Sequence, residues 1–396
     1  MKKRLLFVID SLNCAGAEKS LVTLLSLLDY SQYQVDLMLF SHGGELQKLV
    51  PKEVNILKPM KYSHFTNLNI LNAILYSIKK FSFKMLISRI KFTLKIRKGN
   101  YKNVEKARFY WEYTSNVIEE NPNDYDIAIS YAQSIPTFYV ASKVRAKKKV
   151  AWVNVSYNLE GLEKQFQRNF YKKYNNIIAV SDTTKEIFAT TYPEFSKKIK
   201  VIYDINNPKF ITEMAQLNTI EYDQFDGIKL LTIGRLANQK GYDIALDACR
   251  KLKEKGYIFK WYVLGKGPLE SEIKQYIQKY NLEEHFILLG VKSNPYPYIK
   301  NADIYVQTSR FEGFGLAIAE ARMLNIPVVT TRFDAVFNQM IHEKNGLVVD
   351  VNGDAVFNGI IRLIEDQNLR EEIINYLKHE KKGNIEEIEK FYQLIG

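Results

Sequence analysis

Two carboxylates enclose a glycine-rich turn in the segment RFEGFGLAIAEARMLNIPVV, residues 310–329. Glu312 precedes Gly313 and Gly315, and Glu320 follows them, with seven residues between the two glutamates. The run DIYVQTS just before the segment predicts a strand, and LAIAEARML predicts a helix. The two glycines are therefore expected where a strand leads into the first turn of a helix.

A turn of this kind favours a phosphate group. The first backbone amides of a helix are free, its dipole is positive at that end, and glycine lets an anion approach the backbone. Glu312, before the helix, and Glu320, one turn inside it, would accept hydrogen bonds from hydroxyls on opposite sides of the phosphate. A ligand of that form is a nucleotide sugar. The alternative is that both glutamates are solvated and flank an ordinary turn.

A second strand-to-loop segment, LLTIGRLANQKG at residues 230–241, carries two cations. Arg235 and Lys240 follow the predicted strand, where a guanidinium and an ammonium can pair with a pyrophosphate. They would neutralise the charge of a departing nucleoside diphosphate. Taken alone, the segment fits a solvated basic loop better.

Together the two segments resemble glycosyltransferase family 4, whose members have the two-domain GT-B architecture. The motif FEGFGLAIAEA with its two glutamates and the companion motif GRLANQKG carry the resemblance. Further similarity lies in VLGKGP at 263–268, NPYPYIKNADIYV at 294–306 and KNGLVVD at 344–350. The resemblance covers nearly the whole chain and is strongest from about residue 228 to 365.

The resemblance implies a role for each matching residue. Glu312 would contact the donor sugar, Glu320 the nucleotide ribose, and Arg235 and Lys240 the diphosphate. It also implies transfer with retention of anomeric configuration, and neither a metal ion nor another cofactor. The remaining donor-binding positions that the resemblance implies are Gly313, Phe314, Gly315 and Leu316 in the phosphate cradle, Gly265 and Val291 beside the base, and Gly16 in the N-terminal half.

The N-terminal half carries features of an acceptor-binding domain. NCAGAEKSL at 13–21 resembles the first glycine loop of the family, with Gly16 in place and Ala15 where a second glycine is common. Asn154 stands where related proteins often have a histidine close to the transferred sugar. An asparagine can hydrogen-bond a sugar hydroxyl but cannot carry a proton, so Asn154 is predicted to position the sugar. Alternatively, it is a polar residue that ends a strand.

Neither the paired aspartates nor the histidines of the sequence indicate a clear metal site. Asp124 and Asp126 form the D-x-D pattern that some metal-dependent transferases use, but here they precede a predicted strand in the acceptor half, which favours turn residues. The five histidines, at positions 42, 64, 285, 342 and 379, do not have metal-ligand spacing.

Residues 69–102, NILNAILYSIKKFSFKMLISRIKFTLKIRKGNYK, form a basic segment. Eleven lysines or arginines and no acidic residue lie between Glu53 and Glu105. Apolar residues at 71, 74, 75, 78, 81 and 85 follow the helical period, which predicts a basic amphipathic helix on an anionic membrane surface. The alternative is a helix packed on the core with a solvated basic face. The residues predicted to contact the membrane are Lys79, Lys80, Lys84, Arg89, Lys91 and Lys95.

The elements that must position these residues alternate along the chain. Short, nearly continuous apolar runs such as KRLLFVI, IKLLTIG and FKWYVLG alternate with helical patterns such as YDIALDACRKLKEKG. Strands that are apolar throughout are buried on both faces, which is typical of parallel sheets covered by helices. The sequence therefore predicts an α/β protein of GT-B architecture, with two Rossmann-like, doubly wound parallel-sheet domains facing a cleft that binds the ligand.

Four segments follow from this division. Residues 1–205 are predicted to be an acceptor-binding Rossmann-like domain, and residues 228–375 a nucleotide-sugar-binding one. Residues 206–227, which contain Asn-Pro and no clean periodicity, are predicted to connect them. Residues 376–396 are predicted to form a C-terminal helix that returns to the N-terminal domain.

The overall composition limits the setting. The chain has 396 residues, a net charge of +12 and two cysteines, Cys14 and Cys249. The apolar run before Asp10 is too short for a signal peptide, no run approaches the ~18 residues of a membrane span, and two cysteines make no disulfide framework. A pI of 9.2 also fits nucleic-acid binding, but no such motif is present.

The sequence thus predicts a cytoplasmic hexosyltransferase, peripheral at the inner face of the cell membrane. It would move a sugar, most simply from a UDP-hexose, to a hydroxyl of a lipid-linked saccharide during assembly of a capsule or exopolysaccharide. Other polysaccharide-assembly enzymes are further candidate partners, whereas nucleic acid is not. Two alternatives remain: a sugar-binding partner subunit without turnover, supported only by Asn154, and a nucleotide-sugar epimerase or hydrolase of the same fold.

Overall fold

The apolar runs of the sequence form strands in two separate parts of the chain. The computed structural model describes residues 2–13, 16–155, 159–216, 225–292 and 294–396. The chain divides into two compact units. Unit 1 comprises Met1–Asn13, Ala17–Ile202 and Phe391–Gly396, and unit 2 comprises Cys14–Gly16 and Tyr203–Lys390.

Every apolar run that predicts a strand contains one. In unit 1 the strands are β1 Lys3–Ile9, β2 Tyr33–Leu39, β3 Asn55–Ile56, β4 Asp124–Ser130, β5 Arg145–Val153, β6 Asn176–Ala179 and β7 Ile199–Val201. In unit 2 they are β8 Ile228–Ile233, β9 Phe259–Leu264, β10 Phe286–Gly290, β11 Ile304–Gln307, β12 Val328–Thr331 and β13 Leu347–Val349.

Each unit has one sheet with parallel strand pairs, which confirms the predicted fold class. The order in unit 1 is β3-β2-β1-β4-β5-β6-β7, and the order in unit 2 is β10-β9-β8-β11-β12-β13. In unit 2 the chain builds the sheet outward from β8 to β10 and then returns to β11 on the other side of β8. The strand order thus reverses between β8 and β11, and ligands of such sheets bind beyond the carboxyl ends of the strands at this point.

Helices connect most of the strands. In unit 1 they are α1 Gly16–Ser26, α2 Lys61–Asn67, α3 Ile70–Lys79, α4 Phe83–Arg97, α5 Asn103–Thr114, α6 Ile135–Lys143, α7 Gly161–Tyr171 and α8 Asp182–Thr191. The remainder are α9 Pro208–Ala215, α10 Tyr242–Glu254, α11 Glu270–Lys279, α12 Tyr296–Lys300, α13 Leu316–Met323, α14 Gly353–Glu365, α15 Gln367–His379 and α16 Glu387–Ile395. Single 3-10 turns lie at Glu45–Leu49, Pro193–Lys198, Asn238–Lys240 and Val336–Asn338.

The core of unit 2 lies on both faces of its sheet. Successive residues of a strand point to opposite faces, so Leu230 packs with Trp261 and Val306 in one apolar cluster, and Leu231 packs with Tyr262 and Tyr305 in another. All six side chains are buried. This explains why the strands of unit 2 are apolar at consecutive positions instead of alternate ones.

The predicted connection at 206–227 differs from the structure at its start. Asn207 and Pro208 begin the helix α9, because the Asn207 side chain accepts a hydrogen bond from Phe210 N at 3.3 Å and proline fits the first helical turn. Ile211 and Ala215 are buried against unit 2. The Asn-Pro pair is therefore a helix start, and residues 217–224 of the connection lie outside the described residues.

The D-x-D aspartates are strand residues and not the turn residues predicted. Asp124 begins β4 and accepts a hydrogen bond from Arg145 Nε at 2.6 Å. Asp126 lies within β4, where it accepts from Arg4 N at 2.8 Å and from Lys147 Nζ at 2.7 Å. Both carboxylates are thus paired with cations or amides of neighbouring strands.

The basic segment 69–102 forms two helices, and the prediction of a single helix is wrong. The chain turns between α3 and α4 at Phe81, which has a left-handed φ of 49°. Among the described residues, no helix combines the length and the apolar character needed to cross a membrane.

Candidate functional site

The loops after β8 and β11 carry the predicted donor-binding residues of unit 2. Arg235 and Lys240 follow β8, and Glu312 follows β11, so all three lie at the carboxyl ends of the two strands where the strand order reverses. The structure therefore brings together, at the preferred ligand position of this sheet, residues that are more than 70 positions apart in sequence.

Lys240 and Glu312 form an ion pair. The ammonium of Lys240 contacts Glu312 Oε1, and the two side chains are 18% and 10% exposed. The same carboxylate oxygen accepts hydrogen bonds from Ser309 Oγ at 2.7 Å and from Gln307 Nε2 at 3.2 Å. Glu312 Oε2 makes no hydrogen bond to any described residue, so it stays available as an acceptor for a ligand.

A buried tyrosine fixes the orientation of Gln307. Tyr305 OH donates to Gln307 Oε1 at 2.5 Å, which leaves Gln307 Nε2 to donate towards Ser309 and Glu312. Burial raises the pKa of Tyr305 far above its usual value, so its hydroxyl remains a donor at all ordinary pH values. The Glu312 carboxylate is therefore held by a chain of hydrogen bonds from the sheet.

Further bonds join the two loops. Arg310 binds both carboxylate oxygens of Asp243, at 2.9 and 2.6 Å. Thr308 Oγ1 donates to the Lys240 carbonyl at 2.8 Å, and Gln239 Nε2 donates to the Phe311 carbonyl at 2.9 Å. The Arg310 guanidinium lowers the pKa of Asp243, so this ion pair persists at neutral pH.

Two glycines allow these loops to approach. Gly241 has a left-handed φ of 62°, and a Cβ there would lie 2.0 Å from the Thr308 carbonyl oxygen. Gly265, after β9, has a φ of 149°, and a Cβ there would lie 1.9 Å from the Gly234 carbonyl oxygen. Side chains at these two positions would push the loops after β8, β9 and β11 apart.

The turn before α13 leaves amides free for an anion. Gly315, with a φ of 87°, precedes the helix, and no side chain among the described residues caps it. Gln339 Nε2 donates instead to the carbonyls of Phe314 and Gly315, at 3.2 Å for the latter. The turn of Gly313, Phe314, Gly315 and Leu316 is thus held from its carbonyl side, and the N-terminus of α13 has the arrangement that favours a phosphate.

Glu320 is buried inside the first turns of α13. It is 3% exposed, and Tyr296 OH donates to its Oε1 at 3.1 Å. Arg235 has the opposite environment, because its side chain is exposed and makes no hydrogen bond or ion pair within the described part of the chain. The base-flanking positions Gly265 and Val291 follow the carboxyl ends of β9 and β10.

Two predicted site residues, Gly16 and Asn154, come from the N-terminal half of the sequence. Gly16 begins α1. Asn154 follows β5 in unit 1, where its Nδ2 donates to the Tyr131 carbonyl at 2.8 Å. Its Oδ1 is buried and without a partner among the described residues. The side chain of Asn154 is thus fixed within unit 1, and its role in positioning a sugar stays a prediction.

The six predicted membrane residues fall into two groups. Lys79, Lys80, Lys84 and Lys91 are exposed. Arg89 instead donates to the carbonyls of Phe65 and Leu68 at 3.2 and 2.8 Å, and the Lys95 ammonium lies over the rings of Tyr101 and Phe109. The charged groups of Arg89 and Lys95 thus have partners within unit 1, and their contact with a membrane stays a prediction.

Sequence reasoning missed several side chains of the site. These side chains match no motif, and they hold the predicted residues in position. They are Arg310, Asp243, Ser309, Gln307 and Gln339. Arg310 and Ser309 adjoin FEGFG, and Asp243 follows GRLANQKG by two positions, so proximity to the motifs is the only signal they give. No group of three or more metal-ligating side chains is found within the described ranges.

The comparison with protein families now identifies this part of the chain. Residues 224–380 match the family model described as Glycosyl transferases group 1. This region, which contains Arg235, Lys240, Glu312 and Glu320, is therefore a glycosyl transferases group 1 region, and the predicted resemblance to glycosyltransferases is confirmed.

Curated proteins and solved structures that are similar to this chain are also glycosyltransferases or share its fold. An uncharacterized glycosyltransferase of Methanocaldococcus jannaschii is 24% identical over 345 residues, which are 76% of this chain and 83% of the relative. The N-acetylgalactosamine-N,N'-diacetylbacillosaminyl-diphospho-undecaprenol 4-alpha-N-acetylgalactosaminyltransferase of Campylobacter jejuni is 28% identical over 54% of this chain, and the match spans 57% of that relative. Anabaena HepE, solved in complex with UDP-glucose, aligns with a TM-score of 0.67 at 17% identity, covering 99% of this chain and 98% of HepE. This likeness confirms the GT-B fold.

Proposed function

We propose that the protein is a retaining glycosyltransferase that moves a hexose from a UDP-sugar to a hydroxyl of a lipid-linked saccharide in cell-surface polysaccharide assembly. The observation that carries the proposal is the arrangement in unit 2. The cations after β8, the carboxylate after β11 and the uncapped N-terminus of α13 adjoin the point where the strand order reverses.

The arrangement supplies stabilisation where charge develops. As the bond between the sugar and the diphosphate breaks, negative charge grows on the diphosphate, and fixed cations and amides stabilise it without reorganisation. Lys240 and the first amides of α13 take this role, and the exposed guanidinium of Arg235 adds a further positive charge. Because these groups supply the neutralising charge, the proposed reaction requires no metal ion.

Glu312 and Glu320 take separate roles in the proposal. Glu312 Oε2 accepts a hydrogen bond from a sugar hydroxyl, while its Oε1 stays bound to Lys240, Ser309 and Gln307. Glu320 accepts from the ribose on the other side of the diphosphate. The solved complex of HepE with UDP-glucose supports UDP as the carrier and a hexose as the sugar.

The proposed acceptor is a lipid-linked saccharide, and its support comes from a relative. The name of the Campylobacter jejuni relative specifies a diphospho-undecaprenol-linked saccharide, which supports a lipid-linked acceptor for this chain. An acceptor of that kind lies in a membrane, so we place the enzyme at the inner face of the cell membrane.

Titration of the protein with UDP tests the donor site. Arg235→Ala and Lys240→Ala should each weaken UDP binding by about 10- to 150-fold, because a charge-assisted hydrogen bond is worth about 1.5–3 kcal/mol. Lys274→Ala is the matched control, since that lysine pairs with Glu270 on α11 and not with the site. Native affinity in both site variants would remove these residues from the donor site.

An assay with a labelled sugar donor tests the reaction. Transfer to a lipid-linked acceptor, at a rate that chelators leave unchanged, is the expected result. Free labelled sugar as the only product would show a hydrolase, and an altered sugar still attached to UDP would show an epimerase. UDP binding without any turnover would show a sugar-binding subunit.

A further inference from the structure

The helices α3 and α4 expose their large apolar residues. On α3 the side chains of Ile70, Leu71, Ile74, Leu75 and Ile78 are 40–70% exposed. The inward positions of this helix hold Ala73 and Ser77, which are fully buried. Tyr76 also packs against the core, but the large aliphatic residues of α3 lie outside, which is unusual for an amphipathic helix.

Helix α4 repeats this arrangement. Phe83, Ile87, Ile90 and Leu94 recur at the helical period and are 41–53% exposed. Phe81, in the turn between the two helices, is 88% exposed. We call these ten apolar residues of α3, α4 and their turn the α3–α4 surface. So many exposed large apolar side chains on two successive helices indicate an interaction site.

The α3–α4 surface is fixed in place by the other side of α4. Phe92 packs edge-on against Tyr110 of α5, with ring centroids 5.4 Å apart, and Leu86 packs against the buried core of unit 1. The Arg89 guanidinium binds two carbonyls at the end of α2. Since these contacts hold α4 from within, the exposure of its outer residues is part of the folded unit.

The charge around the α3–α4 surface selects its partner. Lys79, Lys80, Lys84 and Lys91 are exposed among the apolar residues, and Arg97 and Lys98 follow at the end of α4. No acidic residue lies between Glu53 and Glu105. A second copy of the chain would bring this charge against itself, whereas an anionic lipid leaflet offers both negative headgroups and an apolar interior.

We infer that the α3–α4 surface inserts into an anionic lipid leaflet, with Phe81 at the deepest point and the four exposed lysines at the level of the headgroups. The inference deepens the membrane setting of the proposed function and rests on it for its biological meaning. Its physical content, insertion of named side chains, can be tested without any sugar substrate.

Tryptophan fluorescence reports insertion directly. The three native tryptophans, Trp111, Trp152 and Trp261, are at most 5% exposed, so they give a nearly constant background. A Phe81→Trp variant should shift its emission to the blue on adding vesicles of phosphatidylserine and phosphatidylcholine, and brominated acyl chains should quench it. Ile258→Trp is the matched control, because Ile258 is 73% exposed and belongs to unit 2, so it is not part of the α3–α4 surface.

Sedimentation with the same vesicles separates the contribution of the lysine charges to binding from that of the apolar side chains. Replacing Lys79, Lys80, Lys84 and Lys91 together by glutamine should lower the partition coefficient by roughly 600-fold, because each basic residue near an anionic leaflet contributes about fivefold. Leu71→Gln with Leu75→Gln should lower it by roughly tenfold or more. The control Ile258→Gln should bind as the native protein does, and the native protein should bind less as salt rises.

Three results would overturn the inference. Sedimentation of the protein without a blue shift or quenching at position 81 would mean surface attachment without insertion. No binding to vesicles, with UDP binding and sugar transfer intact, would refute the inference and leave the proposed transferase standing. Light scattering that shows a dimer, dissociated by Leu71→Gln with Leu75→Gln, together with no vesicle binding, would assign the α3–α4 surface to a second copy of the chain.

Discussion

The Lys240–Glu312 ion pair makes a testable prediction about how the donor site works. Two variants separate its members. Lys240→Met removes the ammonium and keeps the apolar stem, and Glu312→Gln keeps the size of the carboxylate and removes its charge. In the native chain both side chains are largely buried, at 18% and 10% exposure, so each charge depends on the other.

The effect on stability follows from what each variant leaves behind. Lys240→Met leaves Glu312 with only the neutral donors Ser309 and Gln307, and removing one partner from a buried pair costs up to about 3–5 kcal/mol. Because both side chains retain some contact with water, we expect about 2–3 kcal/mol. The double variant should be more stable than the sum of the single changes predicts, by about 1–3 kcal/mol, since neither charge is then left alone.

The effect on ligands should differ between the two variants. Lys240→Met should weaken UDP binding by about 10- to 150-fold, the loss of one charge-assisted bond. Glu312→Gln should bind UDP at least as tightly as the native protein, because the Lys240 ammonium no longer shares its charge with a carboxylate. Sugar transfer should nevertheless fall by a similar 10- to 150-fold factor, because the acceptor for the sugar hydroxyl is weakened. Calorimetry with UDP and a transfer assay give the two quantities.

Two results would refute this account. Loss of UDP affinity in Glu312→Gln as large as in Lys240→Met would mean that the carboxylate acts on the diphosphate side. Strict additivity of the two changes in stability would mean that the ion pair is not formed in solution. Denaturant unfolding of the native, single and double variants is the control that separates loss of the site from loss of the fold.

Three further predictions concern other parts of the chain. Gly241→Ala should lower the free energy of unfolding by more than about 1–2 kcal/mol and abolish UDP binding, because its Cβ would meet the Thr308 carbonyl. Gly256→Ala, also left-handed but with open space around it, should cost only the backbone strain. Glu320→Gln should weaken UDP binding by about 10- to 150-fold in calorimetry, with an unchanged melting curve. Burial raises the pKa of the Glu18 carboxyl to about 7, above its unfolded value near 4.5. The protonated carboxyl therefore stabilises the fold fully below pH 4.5, and this contribution is lost as pH rises through 7. Melting temperatures measured from about pH 5 to 8.5 should fall less in Glu18→Gln than in the native protein.

The strands were predictable because a strand buried on both faces needs apolar residues at consecutive positions. KRLLFVI is β1 residue for residue, and IKLLTIG contains β8 with one additional glycine. The start of α9 was not predicted, because a short helix with two buried positions, Ile211 and Ala215, has too few turns to show a period. Its Asn-Pro start, which is a helix-cap signal, was interpreted as a loop.

The candidate site was predictable only where its residues are close together in the sequence. Gly313, Gly315 and the two glutamates are close in sequence, and their spacing along a turn and a helix shows their arrangement. Arg310 and Asp243 are 67 positions apart, and nothing in the spacing of either one indicates a bidentate ion pair. Pairings of this kind depend on the sheet order, which places β8 beside β11, and the order is a property of the folded unit.

The basic segment shows why helical periodicity does not identify the partner of a helix. Positions 71, 74, 75 and 78 have the same spacing whether the helix faces a core or a membrane, and both interpretations were open from the sequence. The structure contradicts the core-packed alternative for these four positions, because their side chains are exposed. Ala73, Ser77 and Tyr76 lie against unit 1 instead. The distribution of residue size around the helix, together with the lack of acidic residues between Glu53 and Glu105 in the sequence, therefore supports the inferred lipid contact more specifically than the apolar period does.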